Sequence, residues 1–454
     1  MAASRLRHLI VLIPGIGGSC LRSEDGEVLW SDSRASITRA LREPARLALD
    51  HPAKPTRVIE DFTVVPFLKN LHGYTDLITL LRGTFRRDEF GSTPGSMMTS
   101  FPHDFRQSVE YNSGELDRFV YKRLTEVRKR VPSAKVIFVA HSMGGLIARH
   151  WVAQDTNNAD CRGVITLGTP YSGAPKALDV LVNGLYWGHK AIQRRGLSRI
   201  TADWPGLWDL VAFEKRVIDS TGGRQAPSEI AALDPRGNLA SAEARHRAVS
   251  ERWAGFDRHA GPTLIPYVGL GQGTMTHHRW DGSRLRPERI PFGDEHRLGD
   301  ATVPHWSALP TELHGTAATN ATSPVGERHG RLTTPPDLHQ KLLELNEVSP
   351  PKRGDEKRDP QTLGFDIEDI VTADESIHGV VLCDDEPCDW EHVKLEATLK
   401  TLAGDRKTVE FETTADGQFE VQPVAAGVLS LSAHLDAKNG LPRPVREQIA
   451  VLDD

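Results

Sequence analysis

The chain has 454 residues, 39% of them hydrophobic and 26% charged, the balance of a globular protein long enough for two or three domains. Its 55 basic and 61 acidic side chains are mixed along the sequence and leave a net charge of −6, which argues against nucleic acid as a partner. The four cysteines, Cys20, Cys161, Cys383 and Cys388, lack the spacing of a zinc site, so no metal is expected.

The first apolar run, Leu9 to Ile13, ends in Pro14-Gly15-Ile16-Gly17-Gly18-Ser19. It is too short for a secretion signal and reads as a first strand; with no segment long enough to span a membrane, a cytoplasmic location is the default expectation. Continuous rather than alternating hydrophobicity predicts a strand covered on both faces, as in a parallel sheet, and the pattern returns at Val136–Val139, Gly163–Gly168 and Thr263–Gly269. Helical spacing lies between them, as in 114–130, where Leu116, Phe119, Val120, Leu124 and Val127 recur at three and four. Strands alternating with helices predict a doubly wound α/β fold with its active site at the carboxyl ends of the strands.

One such end carries Ala140-His141-Ser142-Met143-Gly144-Gly145, between an apolar strand and the helical run from Leu146. Strand, serine, helix is the grammar of a nucleophile elbow, in which neighbours two positions away must be small because two backbones nearly touch. Ser142 is the candidate nucleophile, with Ala140 in place of the usual first glycine. A serine hydroxyl needs a histidine base and an orienting carboxylate, which in such enzymes follow the serine as acid, then histidine. Asp300, in Leu298-Gly299-Asp300-Ala301-Thr302, is the best-framed acid, ahead of Asp294 and Glu295. Among His305, His314, His329 and His339, His329 fits best: it lies on a loop just before the helix expected over 337–345, whereas His305 is too close to Asp300 and His339 falls within that helix. The backbone N–H groups of Ile16 and Met143 are the expected oxyanion donors.

Residues 172–261 form an insertion larger than a connection requires, read as a helical cap. Trp204, Leu207, Trp208 and Leu210 are its candidate surface for an acyl chain, and through it transient contact with a membrane surface is expected. The hydrolase domain ends near 349, and 350–360 is a charged linker. Residues 361–454 carry short alternating strands and turn dipeptides, the pattern of a small β-sandwich and a candidate module for binding a protein partner. Cys383 and Cys388 flank a turn within it, where reduced surface thiols or a pair across a hairpin both fit.

Five segments, in order, resemble the lecithin:cholesterol acyltransferase family of α/β-hydrolases: Val11–Ser19, Phe101–Arg106, Ala140–Gly145, Leu167–Leu178 and Gly299–Pro304. The resemblance covers about residues 8 to 345; Gly168-Thr169-Pro170 with Gly173-Ala174-Pro175-Lys176-Ala177-Leu178 is its most specific part. It implies an α/β-hydrolase fold with a Ser142, Asp300 and His329 triad, no cofactor, and phospholipids or related acyl esters as substrates. The chain departs from the family in Ala140, in lacking a cysteine pair to close a lid, and in the added β-rich tail, and no secretion signal is expected before the domain. A serine esterase, lipase or O-acyltransferase is the expectation; a thioesterase or amidase with the same triad, or a hydrolase-like scaffold without activity, are the alternatives.

Overall fold

The computed structural model describes residues 5–60, 73–85, 90–91, 93, 95–154, 156–184, 200–257, 261–290, 298–313, 323–347, 363–368, 370–383, 386–387, 393–401, 404–413, 417–435 and 445–452. Asp294, Glu295, His314, Cys388, the 350–360 linker and part of the cap, including Trp187, lie outside them.

Six strands, β1 (Leu9–Ile13), β2 (Met98–Ser100), β3 (Val136–His141), β4 (Cys161–Leu167), β5 (Thr263–Gly269) and β6 (Ser323–Val325), form one sheet in the order β6-β5-β4-β3-β1-β2. Every pairing is parallel. The apolar runs of β1 and β3 are buried at every residue, as strands covered on both faces must be. From β1 the chain goes to β2 on one side, then crosses to β3 on the other, so the topology switches between β1 and β3. A crevice opens at such a switch beyond the carboxyl ends of the strands, and Pro14-Gly15-Ile16 and Ser142 are what follow β1 and β3 there.

Helix α1 (Val109–Arg128) starts at Ser108, whose hydroxyl accepts the Tyr111 N–H, and buries Leu116, Val120, Leu124 and Val127 as their spacing predicts. Helix α2 (Met143–Ala153) follows the elbow and packs on β1, β3 and β4. Beyond β4 run α3 (Pro175–Asn183), the single turn α4 (Pro205–Trp208) and α5 (Asn238–Ala254), which fall in the 172–261 insertion expected to be a cap. The cap is not purely helical: Val217–Ile218 and Arg224–Gln225 make a hairpin that joins His277–Trp280 and Leu285–Glu288 in a four-stranded sheet. That hairpin turns on Asp219, whose Oδ1 accepts the N–H groups of Thr221 and Gly223. The 172–261 insertion and the parallel-sheet domain share one hydrophobic core, with Trp204 and Trp253 inside it. The Trp253 indole donates to the Arg149 carbonyl at 3.0 Å, while the buried Arg149 guanidinium lies over the rings of Tyr171 and Trp253 and pairs with Glu312.

After α6 (Leu338–Asn346), the tail folds as two sheets over a separate core that includes Phe365, Val381, Leu429 and Ile449. Among the described residues its strand pairs are antiparallel except 370–372 with 450–452. Alternating in-and-out burial along Val393–Thr401 matches the sandwich expected from the sequence.

Candidate active site

Ser142 stands between β3 and α2 at φ 53° and ψ −123°, a conformation that non-glycine residues rarely adopt. The crowding explains the small residues around it. A Cβ on Gly144 would lie 2.6 Å from the carbonyl oxygens of both Ile13 and Pro14, and one on Gly145 would collide with Thr169 Oγ1. Thr169 Oγ1 instead donates to the Ser142 carbonyl at 3.0 Å, which ties the Gly168-Thr169-Pro170 segment to the elbow.

Asp300 and His329 come together although 29 residues separate them. His329 Nδ1 donates to Asp300 Oδ2 at 2.7 Å, and the His329 N–H donates to the Asp300 carbonyl at 2.8 Å. Asp300 Oδ1 accepts two further N–H groups, from Thr302 at 2.9 Å and Val303 at 2.6 Å, so donors surround the carboxylate. With Nδ1 committed, His329 Nε2 is the acceptor nitrogen, and among the described residues it is buried without a hydrogen-bond partner. The His329 ring packs on that of His141, the residue before Ser142, with centroids 4.8 Å apart. His305 stays on the Asp300 turn, its N–H donating to the Leu298 carbonyl, and His339 lies on α6.

The loop after β1 reaches the same place. A Cβ on Gly15 would lie 2.9 Å from Ser142 Cβ, and the next residue, Ile16, donates its N–H to no group among the described residues. The Met143 N–H, first in α2, is equally uncommitted, as a donor at a helix N-terminus can be. The turn at 205–208 comes close to the Met143 side chain: a Cβ on Gly206 would lie 3.0 Å from Met143 Cε. Of the four cap residues singled out by sequence, Trp204 is fully buried, its indole donating to the Leu47 carbonyl and its ring edge-on to Phe105. Leu207 and Leu210 are buried and Trp208 is half-buried, so Trp204 packs the insertion onto the sheet domain while Trp208 keeps some open surface.

Two residues that sequence reasoning did not single out complete the framework. Tyr74 OH accepts the Gly15 N–H at 2.7 Å and donates to His141 Nδ1 at 2.9 Å; His141 Nε2 donates to the His329 carbonyl at 3.0 Å. That relay joins the loop after β1 to the loop bearing His329. It also fixes the His141 tautomer, because a carbonyl can only accept. Burial, aided by neighbouring His329, pulls the His141 pKa down to about 3, and burial does the same to His103 and His278. In the unfolded chain each would protonate near 6.5. Below that pH the unfolded state therefore takes up protons that the folded state refuses, and stability present above pH 6.5 is lost as the pH falls. The loss amounts to at most about 1.4 kcal/mol per pH unit for each histidine. Urea midpoints are expected to drop from pH 7 to pH 5, and His103→Leu to flatten the slope; an unchanged slope in that variant contradicts the assignment.

Buried Asp104 and Arg106, within the Phe101–Arg106 segment, form a two-pronged ion pair at 2.8 and 2.9 Å. Arg106 Nη1 also donates to the carbonyls of Ala48 and His51, so this segment braces the chain beside β2.

A parallel sheet with a strained serine after a central strand, and an Asp–His pair delivered from later loops, defines an α/β-hydrolase fold. The family model for lecithin:cholesterol acyltransferase matches residues 29–210, so this stretch is similar to that family. Phospholipase A(1) LCAT3 of Arabidopsis thaliana is 22% identical over 45% of this chain and 52% of its own length. Lecithin-cholesterol acyltransferase-like 4 of the same plant is 24% identical over 44% and 42%. The chain thus spans about half the length of these curated relatives. Among solved structures, that of a Tle4–Tli4 complex superposes with a TM-score of 0.54 at 15% identity, covering 75% of this chain and 99% of that one, which speaks to the fold.

Proposed function

We propose that the protein cleaves or transfers the acyl group of lipid esters, phospholipids above all, through Ser142, His329 and Asp300. The observation that supports this reading is the His329 ring, held in the acceptor tautomer by Asp300 and packed on His141, the residue before the strained serine, with Nε2 free of any hydrogen-bond partner among the described residues. In the reaction, Ser142 Oγ attacks the ester carbonyl and its proton passes to His329 Nε2. The Ile16 and Met143 N–H groups receive the negative charge that develops on the carbonyl oxygen. Collapse expels the alcohol, which takes the proton from His329 and leaves an acyl-serine. Water or a second alcohol, deprotonated by His329, then releases the acyl group and restores the serine. No step calls on a metal or cofactor.

The family match and a relative described as a phospholipase A(1) support the lipid substrate. The direct test is labelling by a fluorophosphonate, paired with fatty-acid release from phosphatidylcholine vesicles. Wild type is expected to do both and Ser142→Ala neither; release of fatty acid by the alanine variant would reject the reading.

The cap supplies the acyl surface in this reading. Each methylene moved from water into it contributes about 0.8 kcal/mol, so kcat/KM on p-nitrophenyl esters should rise with chain length. Leu207→Ala with Trp208→Ala is expected to flatten that dependence; a preserved dependence places the acyl chain elsewhere.

A further inference from the structure

Two buried connections run from the tail sandwich to the loops that carry His329 and Asp300. Arg328, the residue before His329, is 3% exposed, and its Nε meets Glu447 Oε2 at 2.5 Å. Glu447, 2% exposed, lies in the tail strand Val445–Leu452. Arg328 Nη1 also donates to the Phe365 carbonyl at 3.1 Å, in the tail strand Leu363–Ile367. On the acid side, the fully buried Gln272 reads the tail backbone: Oε1 accepts the Phe365 N–H at 3.0 Å and Nε2 donates to the Leu363 carbonyl at 3.1 Å. Gln272 is itself laid along the acid turn, its N–H donating to the Gly299 carbonyl at 3.0 Å in a bridge with Asp300. The fit is close: a Cβ on Gly364 would collide with the Gly271 carbonyl.

A carboxylate and a guanidinium taken together out of water are poor sources of stability, because desolvation offsets their attraction; an apolar pair of similar volume often serves stability as well or better. What such a pair does supply is direction, since a planar guanidinium accepts its partner in a fixed geometry. Here that direction is imposed one residue from the imidazole, and the Gln272 amide imposes another beside the carboxylate.

We propose that the tail sandwich sets the position of the acid–base pair, with Glu447 acting through Arg328 and the Phe365 backbone acting through Gln272. Glu447 and Gln272 are positioning residues in this scheme, distant from substrate. The proposal rests on His329 and Asp300 being the base and acid that serve Ser142. Misplacement of a reacting group by about an ångström can cost 100-fold in rate, so full-length Glu447→Gln should lose kcat by about 10- to 100-fold. KM for a short, soluble ester should stay within twofold, because the groups that hold the ester are untouched.

Phe419→Leu, in the tail's own core, is the comparison: it is expected to lower Tm without changing kcat. Should Glu447→Gln fail to fold, the double variant Arg328→Met with Glu447→Leu leaves no charge buried and carries the same expected loss of kcat. Glu447→Gln, or the double variant, with kcat within twofold of wild type overturns the proposal, as does an equal loss of kcat in Phe419→Leu. Wild type that a fluorophosphonate does not label overturns the triad reading itself, and this proposal with it.

Discussion

Ser142→Ala is expected to lower the turnover of acyl esters by about 10⁴- to 10⁶-fold, the range seen when a triad nucleophile is removed. The side chain lost is one hydroxyl, and alanine meets the same φ of 53° at a similar steric cost, so far-UV circular dichroism and Tm should hardly change. The measurement is kcat/KM on a p-nitrophenyl ester beside the thermal scan. A variant that retains a tenth of wild-type turnover would show that another group performs the attack. The strain at residue 142 favours the nucleophilic role, because an out-of-region backbone persists only where the surroundings enforce it. Here they do so through Ile13, Pro14 and Thr169, the groups that a side chain on Gly144 or Gly145 would strike.

Asp300→Asn tests a different part of the site, and its expected loss of about 10⁴ in kcat follows from counting donors. Asp300 Oδ1 faces the N–H groups of Thr302 and Val303, and Oδ2 faces Nδ1 of His329. Asparagine has one oxygen to offer. If it keeps the two backbone donors, its NH₂ must meet His329 Nδ1, which can then only accept. The ring proton is driven to Nε2, the nitrogen meant to receive the serine proton, and the base is switched off by tautomer rather than by distance. KM should stay close to wild type, and fluorophosphonate labelling should slow in parallel with kcat. An Asp300→Asn enzyme within tenfold of wild type would mean that the carboxylate does not orient the base.

The parallel sheet was legible because a strand covered on both faces must be apolar throughout, and β1, β3 and β4 are written that way. The elbow was legible because its steric demand falls on neighbours in sequence. The pairing of Asp300 with His329 could be anticipated from chain order and loop position, since strand ends in this topology deliver their loops to one edge. Tyr74 and His141 were not legible as a relay: Tyr74 meets Gly15 from 59 residues away, and nothing in the local pattern of either marks a contact. The cap hairpin was missed because two-residue strands leave no alternation to read. The tie between Arg328 and Glu447 escaped for a related reason, since a charged residue in a loop and another in an alternating strand look alike solvated until the fold removes both from water.

The elbow also bears on how relatives of this protein can be found. Position 140 lies in register between Ile13 and Thr166 in the middle of the sheet, where a methyl group is ordinary, while positions 144 and 145 press against main-chain oxygens and a threonine. Tolerance to substitution is therefore lopsided about the serine, strict on the helix side and relaxed on the strand side. A search that insists on glycine at both ends would pass over chains built like this one, and a query that relaxes only the strand-side position would recover them.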